Sequence, residues 1–168
     1  MSEEQLIRHC APTLASLKTG NLVACRYKNR EAMIKNIRGY NRRLGKKGLR
    51  FVPLRYDNGK ALVYVYRPSK LEKDLFNPPA GALLHSCGYR CKNANHCLMH
   101  LKQRLEENRG DFPHEIGLFL SYPPPDVYGF IHHRDKVRLS GAWKVYHNVA
   151  QAQKTFDQYK KCIFFLDK

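Results

Sequence analysis

Three cysteines and a histidine of metal-ligating type crowd one short stretch, in the pattern Cys87-x3-Cys91-x5-Cys97-x2-His100. Zinc takes four nitrogen or sulfur ligands, so this group supplies enough donors for a zinc or iron site. The spacing lacks the Cys-x2-Cys pair of a zinc ribbon, which leaves two other interpretations open. The cysteines are ordinary loop and core residues, or Cys87 and Cys91 form a thiol redox pair beside the positive charge of Arg90.

A second group of ionisable residues brackets an apolar segment. The run Ile116–Leu120 comes directly after His114 and Glu115. The second pair, His132 and His133, comes at the end of the helix that we predict after this run. The run is short, apolar and stopped by three prolines, which predicts the central strand of a sheet, buried on both faces.

The residues after this strand carry a helical pattern that would bring the second group together. Val127, Phe130 and Ile131 recur at i, i+3 and i+4. A strand and its following helix end near the crevice where open α/β sheets bind ligands, so we expect a pocket there. Its candidate residues are His114, Glu115, Tyr122, Asp126, Tyr128, His132 and His133.

Several ligands suit such a pocket, and a purely structural role is equally open. Neutral imidazoles can bind a metal or haem iron, and Tyr122 or Tyr128 can stack on a planar molecule. Alternatively, His114 and Glu115 only orient the strand entry, while His132 and His133 interact with the negative end of the helix.

A row of cations forms the third candidate site. Lys35, Arg38, Arg42 and Lys46 share one side of a predicted helix, and the segment from Arg26 to Arg50 holds ten Lys or Arg against the single acid Glu31. Such a row can bind a phosphate backbone or an acidic protein surface. More commonly, a charged helix face of this kind is simply solvated and binds no partner. No helix-turn-helix, RNA-recognition or zinc-finger pattern accompanies it.

Length and composition set the class of protein. The 168 residues are 43% hydrophobic and carry a formal charge of +16, which fits one core-forming domain with an acidic partner. The chain opens Met-Ser-Glu-Glu and holds no apolar run of about 18 residues, so we expect a cytoplasmic protein outside the membrane. Reduced thiols are then expected for its six cysteines, without a disulfide framework.

Hydrophobic periodicity positions these groups within an α/β fold. We predict a single α/β domain over residues 1–168, with a mixed sheet of about five strands, one β-hairpin and helices packed on the faces of the sheet. The hairpin turn is Asp57-Asn58-Gly59, and the segment Gly141–Tyr146 is predicted as the last strand. Asn148 is predicted to cap a long C-terminal helix.

Three motifs resemble a known family, the domain of unknown function numbered 3793. They are Phe-Pro-His-Glu-Ile-Gly-Leu-Phe-Leu-Ser-Tyr-Pro from Phe112, Asp-Val-Tyr-Gly-Phe-Ile from Asp126 and Gly-Ala-Trp-Lys-Val-Tyr from Gly141. The resemblance supplies no activity, cofactor or catalytic residue. It implies a role in redox or iron handling, because members of the family are encoded beside flavodoxins and iron-uptake proteins. Ser140 stands where many members have a cysteine.

Three hypotheses for function follow, and the sequence leaves open whether the protein is an enzyme. The first is a cytoplasmic accessory of redox or iron/haem handling, with an acidic electron carrier such as a flavodoxin docked on the basic helix face. The second is a nucleic-acid-binding module that uses this same face. The third is a non-catalytic interaction protein without a ligand.

Overall fold

The computed structural model describes residues 2–108 and 110–166 as eight α-helices and five β-strands. No helix in these ranges is long and apolar enough to cross a bilayer. The elements in chain order are α1 Glu3–Leu14, β1 Gly20–Arg26, α2 Arg30–Leu44, β2 Arg50–Asp57, β3 Lys60–Tyr66, α3 Pro68–Leu75, α4 Pro78–Ser86, α5 Ala94–Glu107, α6 Ile116–Phe119, α7 Pro124–His132, β4 Leu139–Ser140, β5 Lys144–Val145 and α8 Val149–Leu166.

The main sheet has three antiparallel strands in the order β1-β3-β2. The predicted hairpin is confirmed, since β2 and β3 pair from Arg50 opposite Tyr66 to Asp57 opposite Lys60. Asn58 and Gly59 take positive φ angles of 42° and 74°, a conformation that Asn and Gly adopt more readily than other residues.

Each face of this sheet supports a separate helical layer, because side chains alternate along a strand. Ala61, Val63 and Val65 of β3 belong to the core cluster that includes residues of α1 and α2. Tyr64 and Tyr66 point to the opposite face and pack among residues of α3, α4, α5 and α7. The fold is therefore an α/β arrangement with helices on both faces of a small sheet.

The prediction of a central strand over Ile116–Leu120 is wrong. Ile116–Phe119 forms the short helix α6, in which the backbone amide of Leu118 donates to the carbonyl of Glu115. A short apolar run fits a buried strand or a buried helical turn equally well, so periodicity cannot separate them. Here Leu118 and Phe119 are buried in the second core without pairing to a strand.

The expected mixed sheet of about five strands is correct only in part, because the described strands form two sheets, of three and two strands, and all their pairings are antiparallel. Strands β4 and β5 pair only with each other, Leu139 opposite Val145 and Ser140 opposite Lys144. Trp143 and Val145 of this hairpin are buried, as their alternation predicts, and they pack with Phe156 of α8. The long C-terminal helix after Asn148 is confirmed as α8.

Candidate functional site: an aromatic cavity beside α7

An apolar cavity of about 360 Å³ lies between the loop before α6, helix α7 and strand β5. Its volume falls at the lower end of the range for small-molecule sites. Five of its lining residues carry aromatic rings, the His114 imidazole included, and four carry ionisable groups, the Tyr122 phenol included. The lining consists of Phe112, Pro113, His114, Ile116, Gly117, Tyr122, Asp126, Val127, Phe130, Trp143 and Lys144.

Close packing of α6 against the start of α7 shapes the floor of this cavity. Gly117 lies where a Cβ atom would come within 2.8 Å of the Tyr122 ring and 2.9 Å of Val127. Only a residue without a side chain fits such an approach without displacing its neighbours. The glycine of the motif therefore allows Tyr122 to fold back against α6 and form a wall.

Asp126 holds the Trp143 side of the same wall in place. Its buried carboxylate accepts hydrogen bonds from the Trp143 indole at 2.8 Å and from the backbone amides of Tyr146 and His147 at 2.8 and 2.9 Å. A carboxylate with three donors is well compensated for its burial, and it ties α7 to β5. We therefore assign Asp126 a positioning role in the cavity wall.

The indole and the phenol of the wall form a continuous aromatic surface. The Trp143 and Tyr122 rings stack with centroids 5.3 Å apart, and Phe156 meets the indole edge-on at 4.6 Å. Burial raises the pKa of the Tyr122 phenol, so the ring stays neutral at physiological pH. A flat apolar molecule would find a neutral stacking partner here.

Cations surround the mouth of the cavity. The Arg134 guanidinium contacts Nε2 of His114 and lies 5.0 Å from the centroid of the Phe130 ring. Arg55 lies 5.4 Å from the Phe112 ring, and the exposed Lys144 ammonium donates to Ser140. Because arginine only donates, Nε2 of His114 must accept in this contact.

A second, more polar cavity of about 630 Å³ adjoins the first along Phe112, Pro113 and His114. Buried Glu115 forms its inner end, accepting from the Tyr89 hydroxyl at 3.0 Å and pairing with Arg104 at 3.0 Å. Burial and the neighbouring carboxylate raise the pKa of Tyr89. The Glu115 carboxylate is thus paired within the wall of the polar cavity.

The structure divides the seven predicted pocket residues among three places. His114, Tyr122 and Asp126 line the aromatic cavity, and Glu115 lines the polar one. Tyr128 is half-exposed beside a shallow groove on α4, and His132 and His133 are exposed around its ring. Tyr128 and His132 lie on the side of α7 away from Val127, which packs on the second core.

The cysteine and histidine group does not assemble as a metal site. Cys91 and Cys97 form a disulfide with their Cα atoms 5.2 Å apart, which corrects the expectation of reduced thiols throughout. Cys87 is free, with its pKa raised by burial, and His100 stacks on Tyr89 at 4.3 Å. Within residues 2–108 and 110–166, no three His, Cys, Asp or Glu side chains are grouped to hold an ion.

The basic residues lie on the other side of the sheet from both cavities. Lys35, Arg38 and Arg42 are exposed on α2, and Lys46 is exposed in the 3-10 turn Gly45–Lys47 that follows. The buried residues of α2 pack on the first core, whereas Ile116, Tyr122 and Val127 of the aromatic cavity pack on the second. A partner on α2 is therefore separated from the cavity by a helix and the sheet.

Sequence reasoning missed several residues of these sites. Phe112, Phe130 and Trp143 were assigned to motifs or core, although clustered aromatics near a turn are a usable sign of a ligand surface. Lys18 gave no sequence signal, yet it is 6% exposed, and its ammonium lies 5.6 and 6.0 Å from the Tyr122 and Tyr159 rings. Burial lowers the pKa of Lys18 to about 8.

Comparison with protein families gives a match over most of the chain. Neither the curated proteins nor the solved structures contain a significant match to the chain. The match covers residues 6–164 of the 168-residue chain, so it includes both cavities, the disulfide and the basic helix. The chain therefore belongs to the family described as protein of unknown function (DUF3793).

Proposed function

We propose that the protein binds a flat, anionic organic molecule in the aromatic cavity, as a cytoplasmic accessory of redox or iron metabolism. The observation that carries this proposal is the combination of a stacked Tyr122–Trp143 wall with cations at the mouth. A planar ring gains stacking and apolar burial inside, and its charged group meets Arg134 and Lys144 outside.

A flavin fits this arrangement better than a haem. The cavity of about 360 Å³ suits a fused ring system with a charged tail, and the haem macrocycle is larger. The imidazole on the wall, His114, already accepts from Arg134 through Nε2, so that nitrogen is occupied. Flavin mononucleotide, with a phosphate on a flexible tail, is therefore the probe of first choice.

A redox role also needs an electron-transfer partner, and an acidic carrier such as a flavodoxin is the class we propose. Such a partner would have to dock at the mouth of the cavity, where Lys144 is exposed in the lining and Arg134 contacts His114 and Phe130. The basic face of α2 serves this role poorly, because a helix and the sheet lie between that face and the cavity.

Equilibrium dialysis against flavin mononucleotide, riboflavin and haem tests the proposal. We expect one flavin mononucleotide per chain, bound more tightly than riboflavin, which has the same rings but no phosphate. Absence of binding by all three probes would overturn the proposal.

A matched pair of variants locates the bound molecule. Ile116 is half-buried in the lining, so Ile116→Phe fills the cavity and should abolish binding. Ile163→Phe makes the same change at a half-buried position near the end of α8 and should leave binding intact. Equal binding by both variants would show that the flavin lies elsewhere.

A further inference from the structure

The segment from Arg26 to Arg50 presents its whole positive charge to solvent. All ten Lys and Arg of this segment are exposed, against one exposed acid, Glu31. Six of the ten are arginines, the residue whose planar guanidinium pairs best with phosphate oxygens. This surface carries a net charge of +9 out of the +16 of the chain.

The central cations of this surface are not neutralised within the protein. In the described part of the chain, Arg43 pairs with Glu3 at 3.1 Å, while Lys35, Arg38, Arg42 and Lys46 form no ion pair. Lys35, Arg38 and Arg42 are spaced at i, i+3 and i+7, which keeps them within about 60° around the helix axis and about 10 Å along it. They therefore form a compact row of available donors.

Apolar anchors are absent from this surface. The large hydrophobic side chains that are exposed in residues 2–108 and 110–166 all lie outside the segment from Arg26 to Arg50. Stable protein–protein interfaces have a desolvated core of aromatic and aliphatic residues. A phosphate backbone needs no such core, because counterion release supplies the binding free energy.

Gly39 supplies an independent sign of a close approach. It lies in the middle of α2 between the cations, and a Cβ atom there would meet no atom within 4 Å. Glycine in a helix interior is destabilising relative to alanine, and no internal neighbour requires it here. The missing side chain leaves a bare patch of helix among Lys35, Arg38 and Arg42.

We propose that this face of α2 binds the phosphate backbone of a double-stranded nucleic acid, independently of base sequence. A duplex is favoured over a single strand, because single-strand binding relies on exposed aromatic rings for base stacking. The half-buried Tyr56 ring of this region is covered by Arg30, whose guanidinium lies 4.3 Å from the ring centroid. The site is separate from the aromatic cavity and does not depend on its ligand.

Fluorescence anisotropy with labelled 20-base-pair DNA and RNA duplexes of mixed sequence tests the proposal, between 50 and 200 mM salt. Four phosphate contacts predict a slope of about −3.6 for log K against log salt concentration. The double variant Arg38→Glu/Arg42→Glu should weaken duplex binding at least tenfold and reduce the slope by about 2. Both residues are exposed, so the fold should persist, which circular dichroism checks.

The matched control reverses two exposed lysines of α8, Lys154→Glu/Lys161→Glu, and makes the same change in net charge. Equal loss of binding in this control would overturn the proposal, because the net charge rather than the α2 face would then be responsible. Tighter binding to poly-glutamate than to either duplex would assign the face to an acidic protein and also overturn it. Preference for DNA or for RNA identifies which duplex is the ligand.

Discussion

The aromatic cavity and the basic face of α2 lie on opposite sides of the three-stranded sheet, and they differ in nearly every physical property. The cavity is mostly apolar, with one wall formed by the stacked Tyr122 and Trp143 rings and with cations at its mouth. The α2 face is open and has charge without exposed large apolar side chains in the segment from Arg26 to Arg50. The cavity can recognise shape, whereas the face can recognise only charge and its spacing.

This difference predicts how binding affinity at each of the two sites should depend on salt concentration. Apolar burial is insensitive to salt, so most of the affinity at the cavity should persist at high ionic strength. Exposed charges are screened within about 8 Å at physiological salt, so binding at the α2 face should fall steeply. Variants that change one property at a time therefore separate the two sites.

The largest expected effect on stability comes from removing the carboxylate that holds the cavity wall. Asp126→Ala leaves the Trp143 indole and the amides of Tyr146 and His147 without their acceptor. Each unsatisfied buried donor costs about 1–3 kcal/mol, so we expect a loss of about 3–5 kcal/mol in the free energy of unfolding. Urea denaturation measures this loss.

The control for this variant is Asp157→Ala, which removes an exposed carboxylate that, among the residues the structure describes, accepts only from Gln153 one turn away on α8. It should change the unfolding free energy by less than about 0.5 kcal/mol. A similarly small effect of Asp126→Ala would contradict the role assigned to that carboxylate.

Lys18 provides a second test of the packing around the cavity wall, because its buried ammonium lies against the Tyr122 ring. Burial lowers its pKa from 10.5 to about 8, so the unfolded chain binds more protons between these values and stability rises with pH across that window. The penalty below pH 8 is about 3 kcal/mol. Lys18→Met should therefore stabilise the protein by up to about 3 kcal/mol at pH 7.

The measurement is the difference in unfolding free energy between Lys18→Met and the native chain at pH 7, 8.5 and 10. Taking the difference cancels the titration of cysteines and tyrosines that both proteins share. The gain should shrink as pH rises, since the native lysine loses its charge. A difference that is constant with pH would show that Lys18 titrates normally.

A charge reversal at the mouth of the cavity should have a smaller effect, confined to anionic ligands. Lys144→Glu at this exposed position should weaken flavin mononucleotide binding about fivefold, which corresponds to about 1 kcal/mol. Riboflavin, without the phosphate, should bind both proteins equally. Lys154→Glu on α8 serves as the control, and an equal loss for both flavins at Lys144→Glu would exclude a contact with the phosphate.

The smallest predicted effect concerns the α2 face alone. Gly39→Ala should raise the free energy of unfolding by about 0.5–1 kcal/mol, because a Cβ atom there meets no neighbour and alanine favours the helix. Ligand binding at the cavity should not change. A destabilised Gly39→Ala protein would show that the glycine is required for folding rather than for access to α2.

The sequence predicted best those features that depend on a regular period. The hairpin, α2 with its exposed cations and α8 follow from turn residues and 3.6-residue spacing. The segment Ile116–Leu120 is too short to distinguish strand from helix. Tyr128 and His132 lie about 100° and 140° around α7 from the buried Val127, so they face away from the core. The family assignment is confirmed over residues 6–164.

The candidate site was harder to predict because it depends on contacts between distant segments. Asp126 and Trp143 meet across 17 positions, and the Thr19 amide donates to Ser121 across 102. No local pattern encodes such contacts. The disulfide between Cys91 and Cys97 likewise depends on how the loop meets α5, which ligand spacing alone does not specify.

Trp143 allows the most direct test of the central claim, that the aromatic cavity is a binding site. It is the only tryptophan of the chain, and its indole lines the cavity. On titration with flavin mononucleotide, we predict saturable quenching of its emission at one flavin per chain, lost in Ile116→Phe and retained in Ile163→Phe. Unchanged Trp143 emission at flavin concentrations that saturate the protein in dialysis would contradict the claim.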